Sequence, residues 1–223
     1  MKSKIKELLI KNIKWIIVAV ALLIFIMITE DVFEKEIMKI DIIAYESIVE
    51  NFRSDALTNV MKFITNLGGA YVLIIASILS LIVTIIVKRK SIGIAICSNL
   101  AVSFILNIIL KNIVQRPRPE GYRLVVENGY SFPSGHSMVS VAFYGFIIYL
   151  IFKYVKNKYI KYVLCGLFSL LVLAILFSRV YLGVHYASDV ISGFLISIAY
   201  LICFITVFNS IKEKKALIIE KNI

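Results

Sequence analysis

Long apolar runs alternate with short polar stretches along most of this 223-residue chain. A helix needs about 20 mainly apolar residues to cross a bilayer, and six runs come close to that length. They cover residues 15–28, 70–87, 92–110, 137–152, 162–177 and 190–208. The first run is short and borrows from residues 8–14, whose lysines reach to the membrane interface. The pattern predicts an all-α, polytopic integral membrane protein whose six transmembrane helices form a single domain over residues 1–223.

The stretch between the first two runs, residues 30–63, has a different pattern. Acidic residues are mixed there with apolar residues at regular spacing, such as Phe33, Ile37 and Ile40. That spacing predicts an additional amphipathic helical segment on the outer face, lying on the membrane surface or packed over the bundle. Ser54 is placed to cap a short helix that continues to Ile64, and the pair Gly68-Gly69 then ends the pattern.

The composition strengthens the membrane assignment. Hydrophobic residues make up 60% of the chain and the mean hydropathy is +0.90. A soluble domain of this size does not carry so much apolar character. The three cysteines, Cys97, Cys165 and Cys203, lie in different apolar runs without metal-ligand spacing. We therefore interpret them as small hydrophobic residues.

The formal net charge of +11 is distributed according to a membrane topology. Alternate polar segments, starting with the N-terminal tail, hold 16 Lys and Arg beside 3 acids, whereas the other segments hold 9 beside 11 acids. Basic residues favour the cytoplasmic side of a membrane. We therefore predict that both tails, residues 1–14 and 209–223, are cytoplasmic, and that the polar loops 111–136 and 178–189 lie outside. A nucleic-acid partner is not needed to explain the charge.

The loop 178–189 concentrates three chemically useful side chains, Arg179, His185 and Asp189, in a chain with only two histidines. A separation of four residues puts His185 and Asp189 on one face of a helical turn. The carboxylate can then accept the Nδ1–H of the imidazole, which leaves Nε2 free as a nucleophile or base. Arg179 adds a planar donor suited to phosphate. The alternative is a buried ion pair that only caps a helix.

The loop 111–136 carries a second group of polar residues. Lys111 closes the third span, Arg118 lies between two prolines, and Ser134-Gly135-His136 stands where the fourth span begins. A helix N-terminus exposes free N–H groups that bind anions, Gly135 allows close approach, and His136 can donate a proton. The alternatives are a span end for Lys111, lipid headgroup contacts for the arginines and a simple N-cap for Ser134. Taken together, the two loops indicate phosphoryl transfer through a phosphohistidine.

Three motifs carry a resemblance to a known family. They are Lys111-x6-Arg118-Pro119, Pro133-Ser134-Gly135-His136 and Ser178-Arg179-x5-His185-x3-Asp189. In this order they resemble the signature motifs of the type-2 phosphatidic acid phosphatase superfamily, and the six spans resemble its small bacterial members. The resemblance implies a bacterial cell-membrane lipid phosphatase with its active site on the extracytoplasmic face.

The resemblance also implies a role for each motif residue. His185 would be the nucleophile, Asp189 would orient it, and His136 would be the general acid. The phosphate would be held by a cationic cradle whose members are Lys111, Arg118, Ser134, Gly135 and Arg179. Neither a metal nor a cofactor is expected. Arg116 and Arg123 lie outside the motifs, and we expect them to contact a lipid headgroup.

The expected substrate is a lipid phosphomonoester or pyrophosphate, with undecaprenyl pyrophosphate favoured because an outward site suits recycling of that carrier. Phosphatidylglycerophosphate, phosphatidic acid and diacylglycerol pyrophosphate stay open, as does transfer of the phosphoryl group to another lipid. Haloperoxidases share the anion-site motifs, but they are soluble. An anion transporter would require charges near the middle of its spans, and these spans are nearly free of charge.

Overall fold

Helices follow one another along residues 2–35 and 37–221, the part of the chain that the computed structural model describes, with side chains described for residues 12–35 and 37–214. They are α1 (Lys2–Phe33), α2 (Lys39–Ala44), a π-helix (Tyr45–Glu50), α3 (Asp55–Leu67), α4 (Ala70–Ile86), α5 (Lys90–Val114), α6 (Gly135–Tyr154), α7 (Lys158–Tyr181) and α8 (Ala187–Lys221). No strand occurs in these ranges. The predicted all-α class is therefore confirmed.

Five helices are long and apolar enough to cross a membrane within the described residues. They are Asn12–Phe33, Lys90–Val114, Gly135–Tyr154, Lys158–Tyr181 and Ala187–Lys214. The sixth predicted span, 70–87, forms differently, because α4 has only 17 residues and is about 26 Å long at 1.5 Å per residue. It forms a bent pair with α3, at 46°, that together meets the same criteria. The chain is a polytopic membrane protein.

Helix α6 lies at the centre of the bundle and contacts α5, α7 and α8, while α1 packs on α8 and α4 on α5. Polar side chains link these helices inside the apolar core. The Asn99 amide donates to the Ala142 carbonyl at 2.7 Å, and the Tyr200 hydroxyl donates to the Asn99 carbonyl at 2.9 Å. Such bonds hold helices together where lipid removes the usual hydrophobic driving force. Large apolar side chains cover the outer surface of the bundle, as contact with lipid requires.

The stretch 30–63 is divided among four helices instead of forming one long segment. Its first residues extend α1 to Phe33, α2 then packs on α8, and the π-helix packs on α7. Ser54 caps α3 as predicted, accepting the N–H of Leu57 at 3.3 Å. The helix continues three residues beyond the predicted Ile64, to Leu67, before Gly68-Gly69. Placement of this stretch on the membrane surface stays a prediction.

The motif residues of four helices lie at the same end of the bundle. The C-terminal ends of α5 and α7 and the N-terminal ends of α6 and α8 are joined there by segments 115–134 and 182–186. The predicted loops 111–136 and 178–189 are thus shorter, because Lys111, His136, Arg179 and Asp189 all lie within helices. Helix also continues through most of the two predicted tails. Residues 1, 222 and 223, and the side chains of 1–11 and 215–223, lie outside the described part.

Candidate active site

The imidazole of His185 is paired with the carboxylate of Asp189. Nδ1 lies 3.3 Å from Asp189 Oδ2, and both side chains are almost completely buried. His185 is in the turn before α8, and Asp189 is in the first turn of that helix. The same carboxylate oxygen accepts the backbone N–H of Tyr186 at 3.0 Å. Tyr186 precedes α8 and Asp189 is the third residue of α8, so this hydrogen bond is one half of a capping box. It fixes the position of the Asp189 carboxylate.

A close packing of two loops holds His185 in this turn. Gly183 has a φ of 69° in the left-handed region, and a Cβ there would come within 2.6 Å of the Tyr122 carbonyl oxygen. The backbone N–H of Leu124 donates to the Leu182 carbonyl at 3.0 Å. Only glycine combines that backbone conformation with such a close approach. The sequence at this point therefore sets the direction in which His185 projects.

The other ring nitrogen of His185 contacts Arg118. Nη1 of Arg118 lies 3.1 Å from Nε2 and also donates to the Val184 carbonyl at 3.0 Å. An arginine is only a donor, so Nε2 must be the accepting nitrogen and Nδ1 must carry the proton. The geometry thus assigns the tautomer that the spacing of His185 and Asp189 predicts.

Arg179, 1% exposed, lies in the last turn of α7 with its guanidinium between two elements. Nη1 donates to the Thr65 hydroxyl at 2.6 Å, and Nη2 donates to the Glu127 carboxylate at 2.6 Å. The buried Nε has no partner among the described residues. Burial raises the pKa of Glu127, but Arg179, together with His136 and Arg118, outweighs burial and lowers that pKa overall. An ionised carboxylate therefore occupies this cationic region.

The start of α6 provides unpaired donors beside these cations. Ser134 is the N-cap residue, and its hydroxyl oxygen accepts the N–H of Ser137 at 3.4 Å. The N–H groups of Gly135 and His136 and the ring of His136 have no hydrogen-bond partner among the described residues. A Cβ at residue 135 would lie 2.9 Å from the Asn107 side-chain oxygen, so glycine is needed for packing as well. Lys111 donates to the Tyr130 carbonyl.

The electrostatic surroundings of His185 favour a neutral imidazole. Burial lowers its pKa well below the ordinary value of 6.5, and the nearby Arg179, Arg118, Lys111 and His136 lower it further. These four predicted residues are therefore close enough to act on His185, although the five residues lie in five different elements or segments of the chain. The arrangement combines a neutral, oriented histidine with a concentration of positive charge. It suits a nucleophile that attacks an anion.

Arg116 lies in a position that the sequence does not predict. Its guanidinium donates to Asp189 Oδ1 at 2.6 Å and to Asp41 Oδ2 at 3.0 Å, and it is 8% exposed. Burial lowers its pKa, but the two carboxylates outweigh that effect and raise the pKa overall. The expectation of a lipid headgroup contact is therefore wrong for Arg116. Arg123 is exposed, and its expected headgroup contact stays a prediction.

Asp41, Glu127 and Thr65 are further polar residues at the site that the sequence analysis did not select. Asp41 carries a usable signal, since it is a lone acid within the apolar run Ile40-Asp41-Ile42-Ile43. Glu127 and Thr65 have none, because an acid in a polar loop and a threonine in a helix are ordinary. Their contacts depend on how distant segments pack.

A cavity of about 400 Å³ opens beside His185. Its walls combine apolar side chains such as Ile42 and Val49 with four acidic residues, Asp41, Glu46, Glu50 and Glu120. Among the described residues, no three His, Cys, Asp or Glu side chains are grouped to hold a metal ion.

An all-helical membrane bundle that holds an oriented histidine among buried arginines defines an integral-membrane enzyme of the phosphatase type. The family comparison agrees, because the PAP2 superfamily matches residues 92–213. The chain belongs to this superfamily, that of the type-2 phosphatidic acid phosphatases. It is a bacterial, multi-pass membrane phosphatase that hydrolyses lipid phosphate esters.

Two curated relatives extend the comparison. Phosphatidylglycerophosphatase B of Bacillus subtilis (strain 168) is 36% identical over 151 residues, which cover 64% of this chain and 70% of that protein. Dolichyldiphosphatase of Saccharomyces cerevisiae is 34% identical over 97 residues, which cover 40% of this chain and 41% of that protein.

Two solved structures share the fold. The transmembrane PAP2 type phosphatidylglycerolphosphate phosphatase from Bacillus subtilis matches with a TM-score of 0.78 and 26% identity, covering 88% of this chain and 96% of that one. LpxE of Aquifex aeolicus matches with a TM-score of 0.56 and 27% identity, covering 73% and 92%. Both matches support the bundle described above.

Proposed function

We propose that this protein removes the terminal phosphate of a membrane lipid through a phosphohistidine on His185. The observation that carries the proposal is the placement of one imidazole between Asp189 at Nδ1 and Arg118 at Nε2. The carboxylate supports the ring as it becomes positively charged. The arginine marks the side from which an anion approaches.

In the first step, Nε2 of His185 forms a bond to phosphorus while the bond from phosphorus to the lipid oxygen breaks. His136, whose ring has no partner among the described residues, donates a proton to the departing oxygen. In the second step, His136 accepts a proton from water, the water oxygen bonds to phosphorus, and the bond to Nε2 breaks. Inorganic phosphate leaves, and His185 returns to its starting state.

The non-bridging oxygens would be held by Lys111, Arg118, Arg179 and the N–H groups at the start of α6. Arg179 Nε is a buried donor without a partner among the described residues, which an anion would satisfy. Ser134 accepts a bond through its oxygen, so its own hydroxyl proton is left for the phosphate. We propose that no metal takes part, because these donors can neutralise the phosphate themselves.

Phosphatidylglycerophosphate is our first candidate substrate, on the strength of the likeness to phosphatidylglycerophosphatase B. The cavity beside His185 supports the same choice. Its three glutamates can accept a bond from the free hydroxyl of the headgroup glycerol, whereas they repel a second phosphate joined directly to the scissile oxygen. Undecaprenyl pyrophosphate is the second candidate, and the similarity to a dolichyldiphosphatase supports it.

We also propose that the site faces the outside of the bacterial cell membrane and that both termini are cytoplasmic. The division of the basic residues into 16 and 9 supports this orientation. An outward site would give access to lipid phosphates that appear in the outer leaflet.

The test uses the purified full chain in detergent with EDTA present. Release of phosphate is measured from phosphatidylglycerophosphate, phosphatidic acid, undecaprenyl phosphate and undecaprenyl pyrophosphate at equal surface fractions, without any added acceptor. We expect phosphatidylglycerophosphate to have the highest kcat/KM, and a higher value for either of the other monophosphates would contradict this choice of substrate. The highest value for the pyrophosphate would reverse the order of the two candidates. Loss of all activity in EDTA, restored by magnesium, would exclude the metal-free mechanism.

A further inference from the structure

Beside the proposed nucleophile, four buried side chains form one connected group, the Arg116 cluster: Asp41, Arg116, Ser188 and Asp189. Their exposed fractions are 4%, 8%, 1% and 0%. Arg116 connects the two carboxylates, with Nη1 at 2.6 Å from Asp189 and Nη2 at 3.0 Å from Asp41. Asp41 comes from α2, outside the part of the chain that the superfamily matches.

Both carboxylate oxygens of Asp41 accept hydrogen bonds from buried groups. Oδ1 accepts the N–H of Ser188 at 2.8 Å, and Oδ2 accepts the Ser188 hydroxyl at 2.7 Å as well as Arg116. The ring of Tyr186 covers the guanidinium, with its centroid 4.0 Å away. Isolated buried charges are costly, so a chain retains such a group only with complete pairing. In this cluster Asp41 is paired with Arg116, and Arg116 is paired with Asp189, the carboxylate that contacts His185.

The charge of the cluster gives it a possible role in the reaction. Asp189 and Arg116 alone would form a neutral pair. His185 would then lie among Arg118, Arg179, Lys111 and His136 with no net negative charge on its Nδ1 side to stabilise a positively charged imidazole. Asp41 adds one negative charge, so the cluster as a whole is negative by one unit. This charge lies behind Nδ1, on the side opposite to the phosphate.

We infer that Asp41 and Arg116 are positioning residues for His185. Arg116 holds one oxygen of Asp189 so that the other faces Nδ1, and Asp41 holds Arg116 and supplies the net negative charge. This inference rests on the proposed role of His185 as the nucleophile. It extends the working site to a helix that precedes the three motifs.

The test compares Asp41→Asn, Arg116→Met, Arg116→Lys and the double variant Asp41→Asn/Arg116→Met. Glu34→Gln and Lys39→Met are matched controls, since both residues are exposed and lie near Asp41 in the chain. For each purified protein, kcat, KM and the pH dependence of kcat/KM are measured with the best lipid of the panel. Size-exclusion chromatography in detergent shows which variants are folded.

We expect Asp41→Asn to lower kcat by about 10- to 100-fold with little change in KM, which is the scale found when the outer partners of a metal-bound histidine are removed. Loss of this negative charge should move the acid limb of kcat/KM to lower pH. Arg116→Met removes a positive charge and should move the limb to higher pH. In the double variant the limb should return toward that of the unmodified protein, with part of the kcat lost in Arg116→Met regained.

Arg116→Lys keeps the charge but loses the two-pronged contact, so it should lower kcat without moving the limb. This variant also provides a test if Asp41→Asn does not fold. An unchanged kcat and pH profile in Asp41→Asn would overturn the inference. So would an equal limb shift in Arg116→Lys and Arg116→Met, or an effect of Asp41→Asn on kcat that is the same with and without Arg116. If His185→Ala keeps its activity, the proposed nucleophile itself is wrong, and that outcome is separate from these.

Discussion

The carboxylate of Glu127 lies 2.6 Å from the guanidinium of Arg179. Its other oxygen is 3.8 Å from Arg118, and Arg179 is almost completely buried. An internal anion thus occupies part of the cationic region where we propose that the substrate phosphate binds. A phosphate that contacts Nη2 of Arg179 must displace this carboxylate, and a phosphate at the unpartnered Nε lies close to its negative charge.

Replacing Glu127 by Gln should therefore strengthen the binding of phosphate analogues. A hydrogen bond to a charged group contributes about 1.5–3 kcal/mol, and part of that is recovered when the competitor is neutral. We expect the inhibition constant for orthovanadate to fall by about 3- to 30-fold, since about 1.4 kcal/mol corresponds to tenfold. Inhibition of lipid hydrolysis is the measurement, and Glu34→Gln is the control. Weaker inhibition in Glu127→Gln would mean that Glu127 supports the cationic region instead of competing for it.

The two histidines should differ in what their loss removes. His185→Ala should abolish both turnover and covalent labelling by substrate, because no other imidazole is paired with a carboxylate in the described residues. His136→Ala should slow turnover by about 10²–10⁴-fold, the usual contribution of a proton donor. The loss of turnover in His136→Ala should be smaller for a substrate whose leaving group needs no proton. Rapid quench with a radiolabelled substrate detects the acid-labile, base-stable phosphohistidine, and labelling of His185→Ala but not of His136→Ala would invert the two roles.

Asp189→Asn tests the charge behind His185 without changing its shape. The amide cannot stabilise a positively charged imidazole, so we expect a lower kcat in a protein that still folds. It also leaves Arg116 with only one carboxylate, Asp41. Thermal unfolding in detergent, measured beside kcat, separates the two effects. A variant with normal kcat would show that Asp189 serves the fold alone.

The pH dependence should reflect the buried state of His185. Its pKa is lowered well below 6.5, first by burial and then by the surrounding cations, so the ring stays neutral as the pH falls. The acid limb of kcat/KM should lie below that of an ordinary histidine, about 6.5. Over the interval from 6.5 down to the lowered pKa, the unfolded chain binds a proton that the native protein does not. The free energy of unfolding should therefore decrease as the pH is lowered through that interval.

The measurement is kcat/KM over about pH 4–8 together with the unfolding temperature. A phosphomonoester also ionises near pH 6, so its own titration is followed by phosphorus NMR in the same micelles. An acid limb at or above 6.5 that does not coincide with the substrate titration would contradict the buried, neutral imidazole.

Topology can be tested in a variant from which Cys97, Cys165 and Cys203 have been replaced by Ala. A cysteine at Val126, which is 91% exposed, should react with an impermeant thiol reagent added to intact cells. A cysteine at Lys90, at the opposite end of the bundle, should react only after the cells are opened. The reverse labelling would place the active site in the cytoplasm.

The sequence by itself determined the class of the protein and the members of its motif set. A membrane span can be recognised from its own residues, because each segment in lipid must be apolar and must satisfy its own backbone hydrogen bonds. Five spans were therefore readable as runs, and Ser54 as a cap, since both depend on neighbours in the chain. The spacing of His185 and Asp189 similarly predicted their contact.

Only the tertiary structure decided what the remaining charges do. Arg116 carries the same local signal as a headgroup-binding arginine, and its burial becomes apparent only when α2 brings Asp41 to it across 75 residues. Glu127 reaches Arg179 across 52 residues, and Thr65 reaches it across 114. The sixth candidate span likewise requires α3 and α4 together, because a bend of 46° separates the two helices and α4 alone is short. Burial and pairing of a charge depend on which distant surfaces meet, and the local pattern of apolar and polar residues does not contain that information.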